Sequence, residues 1–237
     1  MSTFPGGTSL SFLDVYTSPA PDGICGGSPH MHTASTECYI AVGGRGQLHS
    51  LTSEGHRETD LEPGSITWFT PGTIHRAVNL DNARFVVLMS NAGLPEAGDA
   101  VMTFPSEYLE SVERYREAAA LPVGASDEEL AIAAAKRRDL AVEGYLVIRD
   151  AMIAGDDGPL KRFRERAAEI VADRLSGWNA IVQDGPLAQA QNTLELLARM
   201  TSGDASHLDD AALVSGLEPA RRFGMCGNLR AYDVAVH

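Results

Sequence analysis

The sequence predicts a β sandwich or barrel followed by a helical region, and three observations carry that expectation. Between Ser9 and about Ser90 the chain offers short runs rich in β-branched and aromatic residues, separated by turn signals. Near residue 105 the texture changes to apolar residues at helical spacing. After about residue 220 that period is lost again. The predicted organisation is a β domain at 1–104, a helical region at 105–220 and a tail at 221–237 that can return to the sheet near Tyr232.

In order along the chain, the candidate strands are "LSFLDVY", "ECYIAV", "GQLHSL", "SITWFT" and "ARFVVLM". The turns between them are read from "PDG", "GGRG", "SEG", "EPG" and "PG". Several short strands at fairly even spacing suit an all-β sandwich or barrel. Ser126 followed three residues later by Glu129 is a capping-box signature, opening a helix that runs to about Ile153. Ala141, Tyr145, Ile148 and Met152 would form its apolar face. "GDDGP" ends it, and Leu160, Phe163, Ala167 and Ile170 mark a second helix continuing through Val171, Leu175 and Trp178. "QDGP" is read as a break before a third helix with Leu194, Leu197 and Met200, and "SGDASHLDDAALVSGL" as a short fourth. The apolar stripes either pack on one another and the β domain, or form a lid or dimer contact.

Composition narrows the function classes. At 237 residues the chain can hold one large domain or two small ones, each with a core. Its net charge of -13 repels phosphate backbones and anionic lipid, which argues against nucleic-acid and membrane partners. No apolar run approaches the roughly 20 residues of a spanning helix, and MSTFPGGTSL does not read as a secretory leader. Cys25, Cys38 and Cys226 are odd in number and far apart, so neither a disulfide framework nor a C-x-x-C metal knuckle is expected. A cytoplasmic setting follows, with Cys25 and Cys38 read as buried apolar filler.

The chemistry concentrates in "HMHTASTECYIAVGG" and "PGTIHRAVN". In a strand, alternate residues share a face and lie about 6.5–7 Å apart at Cα. His30 and His32 can therefore aim at one cation while Met31 points away. Glu37 opens the next strand and shares its face with Tyr39 and Ala41. Taken alone, H-x-H fits a solvated surface turn as well as a ligand pair. After Pro71-Gly72, the following strand would carry His75 inward with Ala77 and Asn79, leaving Arg76 and Val78 outward. Alone, His75 reads as a hydrogen-bonded core histidine; alongside the first cluster it falls where a fourth ligand is needed.

These two stretches resemble the motifs of the cupin family. The first carries H-x-H, a glutamate and a glycine as His30, His32, Glu37 and Gly44. The second carries glycine, histidine and asparagine as Gly72, His75 and Asn79, with nineteen residues separating Gly44 from Gly64. The sequence departs at the early glycine, where Ile24 stands between Gly23 and Gly26, and at the proline, which directly precedes Gly72. Both departures concern turns, and all four ligand positions stand. The resemblance spans about residues 8–92 and leaves the helical region unaccounted for.

The resemblance implies a small antiparallel jelly-roll barrel holding one divalent transition metal ion on His30, His32, Glu37 and His75. Three imidazoles and a carboxylate suit Fe, Mn, Ni, Zn or Cu and leave positions for a substrate oxygen, water or dioxygen. Zinc would act as a Lewis acid, whereas iron, manganese or nickel also support oxygen chemistry. The expected function is a metal-dependent enzyme acting on a small polar organic molecule, by dioxygenation or by Lewis-acid isomerase or lyase chemistry. The alternative is a non-catalytic sensor that uses the barrel as a ligand cup. Tyr39 is the candidate catalytic residue, and Trp68 is expected on an inward face as core packing. Arg76 is read as a solvated barrel residue, and Arg84 as one that could attract an anionic substrate. Asn79 is read as tying down a turn or strand end. His49, His56 and His207 show no ligand spacing. A homodimer is expected, since small barrels of this family commonly associate.

Overall fold

The computed structural model describes residues 4–232. The β part consists of β1 (Ser9–Val15), β2 (His30–His32), β3 (Glu37–Thr52), β4 (Gly55–Leu61), β5 (Ile66–Phe69), β6 (Ile74–Met89) and β7 (Ala100–Met102). The helical part follows as α1 (Ser106–Leu109), α2 (Val112–Ala119), α3 (Asp127–Ile153), α4 (Gly158–Val171), α5 (Leu175–Val182) and α6 (Ala188–Thr201). The chain then returns through β8 (Arg222–Phe223) and β9 (Gly227–Tyr232).

All nine strands belong to one antiparallel sheet built around the 16-residue pair β3 and β6. Glu37–Ala41 of β3 pair with Phe85–Met89 of β6, and β5 and β1 continue that half outward. Gly46–Leu51 of β3 pair with Ile74–Asn79 of β6, and β4 and β2 continue the other half. Between the halves the register slips from Ala41 to Gly46. Gly44 takes φ +64 there, and a Cβ would lie 2.1 Å from the Asp81 carbonyl oxygen, so only glycine fits this crossing. The "GGRG" expected as a turn is thus a bulge inside one long strand, because the partner β6 bends with it. Glu37 from one half reaches His32 and His75 from the other, so the halves face each other as two layers. This is the expected jelly-roll layout, although no ladder among the described residues joins the outer strands to close the sheet.

The capping box at Ser126 and Glu129 forms as expected, contributing on the order of 1 kcal/mol. Ala141, Tyr145 and Ile148 are buried on the outer face of the half carrying β2, against Met31, Leu51, Ile74 and Val101. Leu160, Phe163, Ala167, Ile170, Val171 and Trp178 join the same core. Each large apolar side chain there contributes about 1.5–3 kcal/mol. Gly144 lets α3 approach β7's exit closely, since a Cβ at that position would lie 2.1 Å from the Thr103 carbonyl oxygen. A second core, including Leu13, Tyr39, Ala41, Phe85 and Cys226, fills the space between the sheet layers.

Several expectations need correction. "QDGP" does not break the helix: residues 183–187 form a wide π turn that accommodates Pro186, which has no N–H to donate, and α5 runs on into α6. Leu194, Leu197 and Met200 of α6 are exposed rather than packed. The expected fourth helix is only a 3-10 turn at Ser206–Asp210, followed by irregular chain. Two early helices, α1 and α2, and strands β4 and β7 were not anticipated. Trp68 is 68% exposed, because its register partner is Cys38 on the outer face while Phe69 pairs with inward Glu37. Arg76 is fully buried, because helices and the loop carrying Asp22 cover the outer face that it occupies. Val78, expected outward, is buried at the bridge to Gly26. Cys25 and Cys38 are partly exposed, and only Cys226 is buried; all three are free thiols. Residues 222–232 return to the sheet, with β9 pairing along β1, while 233–237 of the expected tail lie outside the described residues.

Candidate metal centre

Register places the four candidate ligands. His30 lies directly across from His75 in the β2–β6 ladder, so both imidazoles leave the same face. His32, two residues on, shares that face. Glu37 opens β3 in the opposite layer, and its inward direction is fixed by pairing with Phe69 and Met89. One ligand atom from each of the four lies within 4.8 Å of the others. All four residues are buried, His75 completely. Gly72 at φ +88 makes the turn that enters β6, as expected from Pro71-Gly72.

Each imidazole has its Nδ1 committed elsewhere. His30 Nδ1 donates to the Ser28 carbonyl at 2.9 Å, and His75 Nδ1 to the Thr73 carbonyl at 3.2 Å. His32 Nδ1 donates to Asp99 Oδ1 at 2.7 Å. All three rings thereby present Nε2 to the centre, the orientation that second-layer partners impose on metal-ligating histidines. Glu37 Oε2 sits 3.2 Å from His32 Nε2 and 3.0 Å from His75 Nε2. Glu37 Oε2 and His75 Nε2 are buried without a hydrogen-bond partner. An imidazole lone pair facing a carboxylate lone pair is repulsive unless a cation lies between them. The donor set therefore fits one divalent transition metal ion.

The local electrostatics agree. Burial holds His30 well below the usual imidazole pKa, with the neighbouring His75 and His32 acting in the same direction, so it is a neutral ligand. Burial also opposes a charge on His32, but Asp99 and Glu37 on its two sides outweigh it and raise the pKa to about 10. Burial would raise Glu37, yet His75 and His32 keep it ionised, well below the ordinary carboxylate range. Glu37 thus supplies a fixed negative charge, and a cation bound at the centre would take the place of the proton that His32 otherwise carries between its two carboxylate neighbours.

Asp99 was missed in the sequence. It precedes β7, is fully buried, and also accepts the Ser35 backbone N–H at 2.9 Å. Only its place beside His32 marks it, and that required knowing that β7 pairs with β2. Asn79 ties β6 down as expected, donating to the Val15 carbonyl and accepting from Ala83 N–H. Tyr39 is fully buried, stacked on Phe85 at 5.2 Å, with its hydroxyl 3.6 Å from Cys226 Sγ. Burial, with Cys226 and Glu37 nearby, raises its pKa well above the usual value and keeps it protonated.

Residues 20–91 match the family model described as a cupin domain. Residues 20–91, which carry β2 through β6, are a cupin domain. No curated protein matches the chain. Among solved structures, a double-stranded β-helix protein from Klebsiella pneumoniae is 18% identical, covering 38% of this chain and 69% of its own, at TM-score 0.28. A predicted oxalate decarboxylase from Thermotoga maritima is 18% identical over 35% of this chain and 64% of its own, at TM-score 0.27. A TDP-fucose-3,4-ketoisomerase from Campylobacter jejuni is 11% identical over 34% of this chain and 58% of its own, at TM-score 0.29.

A cavity of about 130 Å³ reaches the candidate ligands His30, His32 and Glu37. Its walls include Leu13, Val87 and Met89 of the sheet and Met225, Cys226 and Leu229 of the returning tail. Glu96 and Arg222 contribute the charged groups of its lining. A larger groove of about 690 Å³ runs along β4 and β5 past Ser50, Arg57, Thr59, Trp68 and Phe69, but does not include the four ligands. Phe69 packs on His75 at 4.2 Å between ring centres and screens the centre from that side. The helices pack on the outer face of the sheet; the tail, rather than the helices, lines the smaller cavity. Among the described residues no helix is long and apolar enough to cross a membrane.

Proposed function

We propose that this protein is a metal-dependent cupin enzyme acting on a small polar organic molecule, with His30, His32, Glu37 and His75 holding one divalent transition metal ion. The observation that carries the reading is the convergence of three Nε2 atoms, each with its Nδ1 already engaged, on a buried carboxylate that has no other partner for Oε2. When bound, the ion would supply Lewis-acid polarisation of a substrate oxygen or, if redox-active, a site for dioxygen chemistry.

The chain's own residues limit the substrate. The cavity at the candidate ligands is small, about 130 Å³, which suits a small molecule or one end of a larger one. Leu13, Val87 and Leu229 exclude water around it, and Arg222 and Glu96 provide opposite charges for orienting a polar substrate. Tyr39 and Cys226 remain protonated, since burial raises the Cys226 thiol to about 12, so they act as donors rather than bases. Besides the ligand set, the cavity lining contains no imidazole, and Glu96 is its additional carboxylate. That makes Glu96 the group available to move a proton at the mouth, a role that Lewis-acid isomerase or lyase chemistry needs and direct dioxygenation does not. A cytoplasmic setting is supported by the three free thiols. A homodimer is supported by exposed Ile66 and Trp68 on strand β5, which light scattering on a Trp68→Arg variant tests.

Elemental analysis of protein purified without added metal tests the assignment, with a His75→Ala variant beside it. About one ion per chain at this centre in the wild type, lost in the variant, is expected; equal content in both overturns it. Turnover that continues without dioxygen would eliminate dioxygenation, whereas a ligand bound tightly and recovered unchanged would replace the enzyme reading by the sensor reading.

A further inference from the structure

A second group of metal-ligating side chains lies on the opposite face of the sheet from the cupin centre. His49 of β3 pairs in register with Glu58 of β4, and His56 lies two residues before Glu58 on the same strand face. One ligand atom from each of the three lies within 4.8 Å of the others. His49 Nε2 is 3.9 Å from Glu58 Oε1, and the two imidazoles meet edge to face at 5.7 Å. His49 is buried, His56 half-buried, and the Glu58 side chain 53% exposed. The group thus has a dry side formed by the sheet and α3 and a wet side at Glu58.

Unpaired polar atoms gather in the same place. His56 Nε2 is buried with no hydrogen-bond partner. The hydroxyl of Tyr145, whose ring lies 6.4 Å from that of His56, is also buried and unpaired. The contact left to His49 Nε2, the Gln47 amide oxygen at 3.4 Å, is long. Buried polar atoms without partners are rare in folded proteins, and two beside a pair of imidazoles call for a shared partner. Burial lowers the pKa of both rings, His49 to about 4, so both are neutral and ready to donate lone pairs. Two cationic neighbours, Arg76 and Arg149, are each paired with a carboxylate, Asp22 and Asp150 respectively. Among the described residues Glu58 has no arginine or lysine ion-pair partner, and the contact it makes is to neutral His49 at 3.9 Å.

We propose that His49, His56 and Glu58 form a second metal site, distinct from the cupin centre, that takes a zinc ion. Two neutral imidazoles and one carboxylate are a known zinc donor set that leaves a fourth position to water, and the exposed side of Glu58 supplies the access. The ion fastens the two strands of the β3–β4 hairpin together where α3 lies over them. It does not depend on the metal-centre reading above, because the two groups share no residue.

Zinc titration of the chelator-stripped full chain, followed by desalting and elemental analysis, tests this together with His56→Ala, His75→Ala and the double variant. Two zinc ions per chain in the wild type, one in each single variant and none in the double variant are expected. Glu58→Gln, at an exposed position that leaves the fold intact, should weaken the His56-dependent ion at least tenfold. A His56→Ala variant that holds as many ions as the wild type overturns the proposal, whatever the wild-type total. If His75→Ala retains two ions, the cupin centre is misassigned and the second site stands. An ion that survives in the double variant belongs to neither group, and it refutes an assignment only where the matching single variant also loses none.

Discussion

Replacing Asp99 with asparagine changes one buried atom and should weaken the metal centre by a calculable amount. Asp99 uses both oxygens, Oδ1 for the His32 Nδ1–H at 2.7 Å and Oδ2 for the Ser35 N–H at 2.9 Å. An asparagine has one oxygen and one NH2 group for these two donors. If the NH2 faces Ser35, a buried backbone N–H loses its acceptor, costing about 1–3 kcal/mol of stability. If it faces His32, the ring must accept at Nδ1 and carry its proton at Nε2, which removes that nitrogen as a ligand. Loss of such a carboxylate partner typically reduces metal affinity 10- to 100-fold, or about 1.4–2.7 kcal/mol at 1.36 kcal/mol per decade. Competition against a chromophoric chelator measures it directly on wild type and Asp99→Asn at equal pH. An affinity unchanged within twofold, in a variant whose circular dichroism matches the wild type, would refute the idea that Asp99 orients His32 for a cation.

Four further outcomes follow from the same coordinates. Metal at 100 times its dissociation constant adds about 2.7 kcal/mol. At about 2–4 °C per kcal/mol for a chain of this size, chelation should lower Tm by roughly 5–11 °C, measured by scanning calorimetry with and without chelator. Gly144→Ala forces a Cβ against the Thr103 carbonyl and should cost about 1–3 kcal/mol in a denaturant titration while leaving metal content unchanged. Arg76→Met leaves Asp22 without its buried guanidinium partner and should cost about 3–5 kcal/mol by the same method. Burial raises the Asp22 pKa, but Arg76 more than offsets this and holds the carboxyl below its usual value. Its contribution is therefore complete above about pH 4 and lost as pH falls through the lower folded value, an acid dependence that denaturant titrations should find reduced in Arg76→Met. Maleimide should label Cys25 and Cys38 in the native protein and spare buried Cys226 until denaturant is added.

The candidate cluster was legible because its four side chains obey local rules. His30 and His32 share a strand face by the two-residue period, and Pro71-Gly72 announces the turn before His75. The long helix was legible from its capping box and its stripe at Ala141, Tyr145 and Ile148. What failed were judgements about which side of a strand meets solvent. Alternation correctly put Arg76 on the face opposite His75, but it does not say that helices and the Asp22 loop cover that face. Trp68 failed by one residue of register, since pairing Cys38 with Trp68 sends the indole outward and Phe69 inward. Asp99, and the meeting of His49 with Glu58, depend on pairings between strands, which no spacing along one segment encodes.

That distinction explains why the site needs the whole β architecture. Three histidines come from one layer, where cross-strand pairing of His30 with His75 fixes their mutual distance. Glu37 comes from the other layer, and its reach across the gap depends on how far β3 and β6 bend at the bulge around Gly44. A side chain at Gly44 would push Asp81 and Asn82 away and open the angle between the layers, drawing Glu37 off His32 and His75 without touching any ligand. The glycine shared with the family motif is thus part of the candidate centre's geometry even though it lies at mid-strand, away from all four side chains.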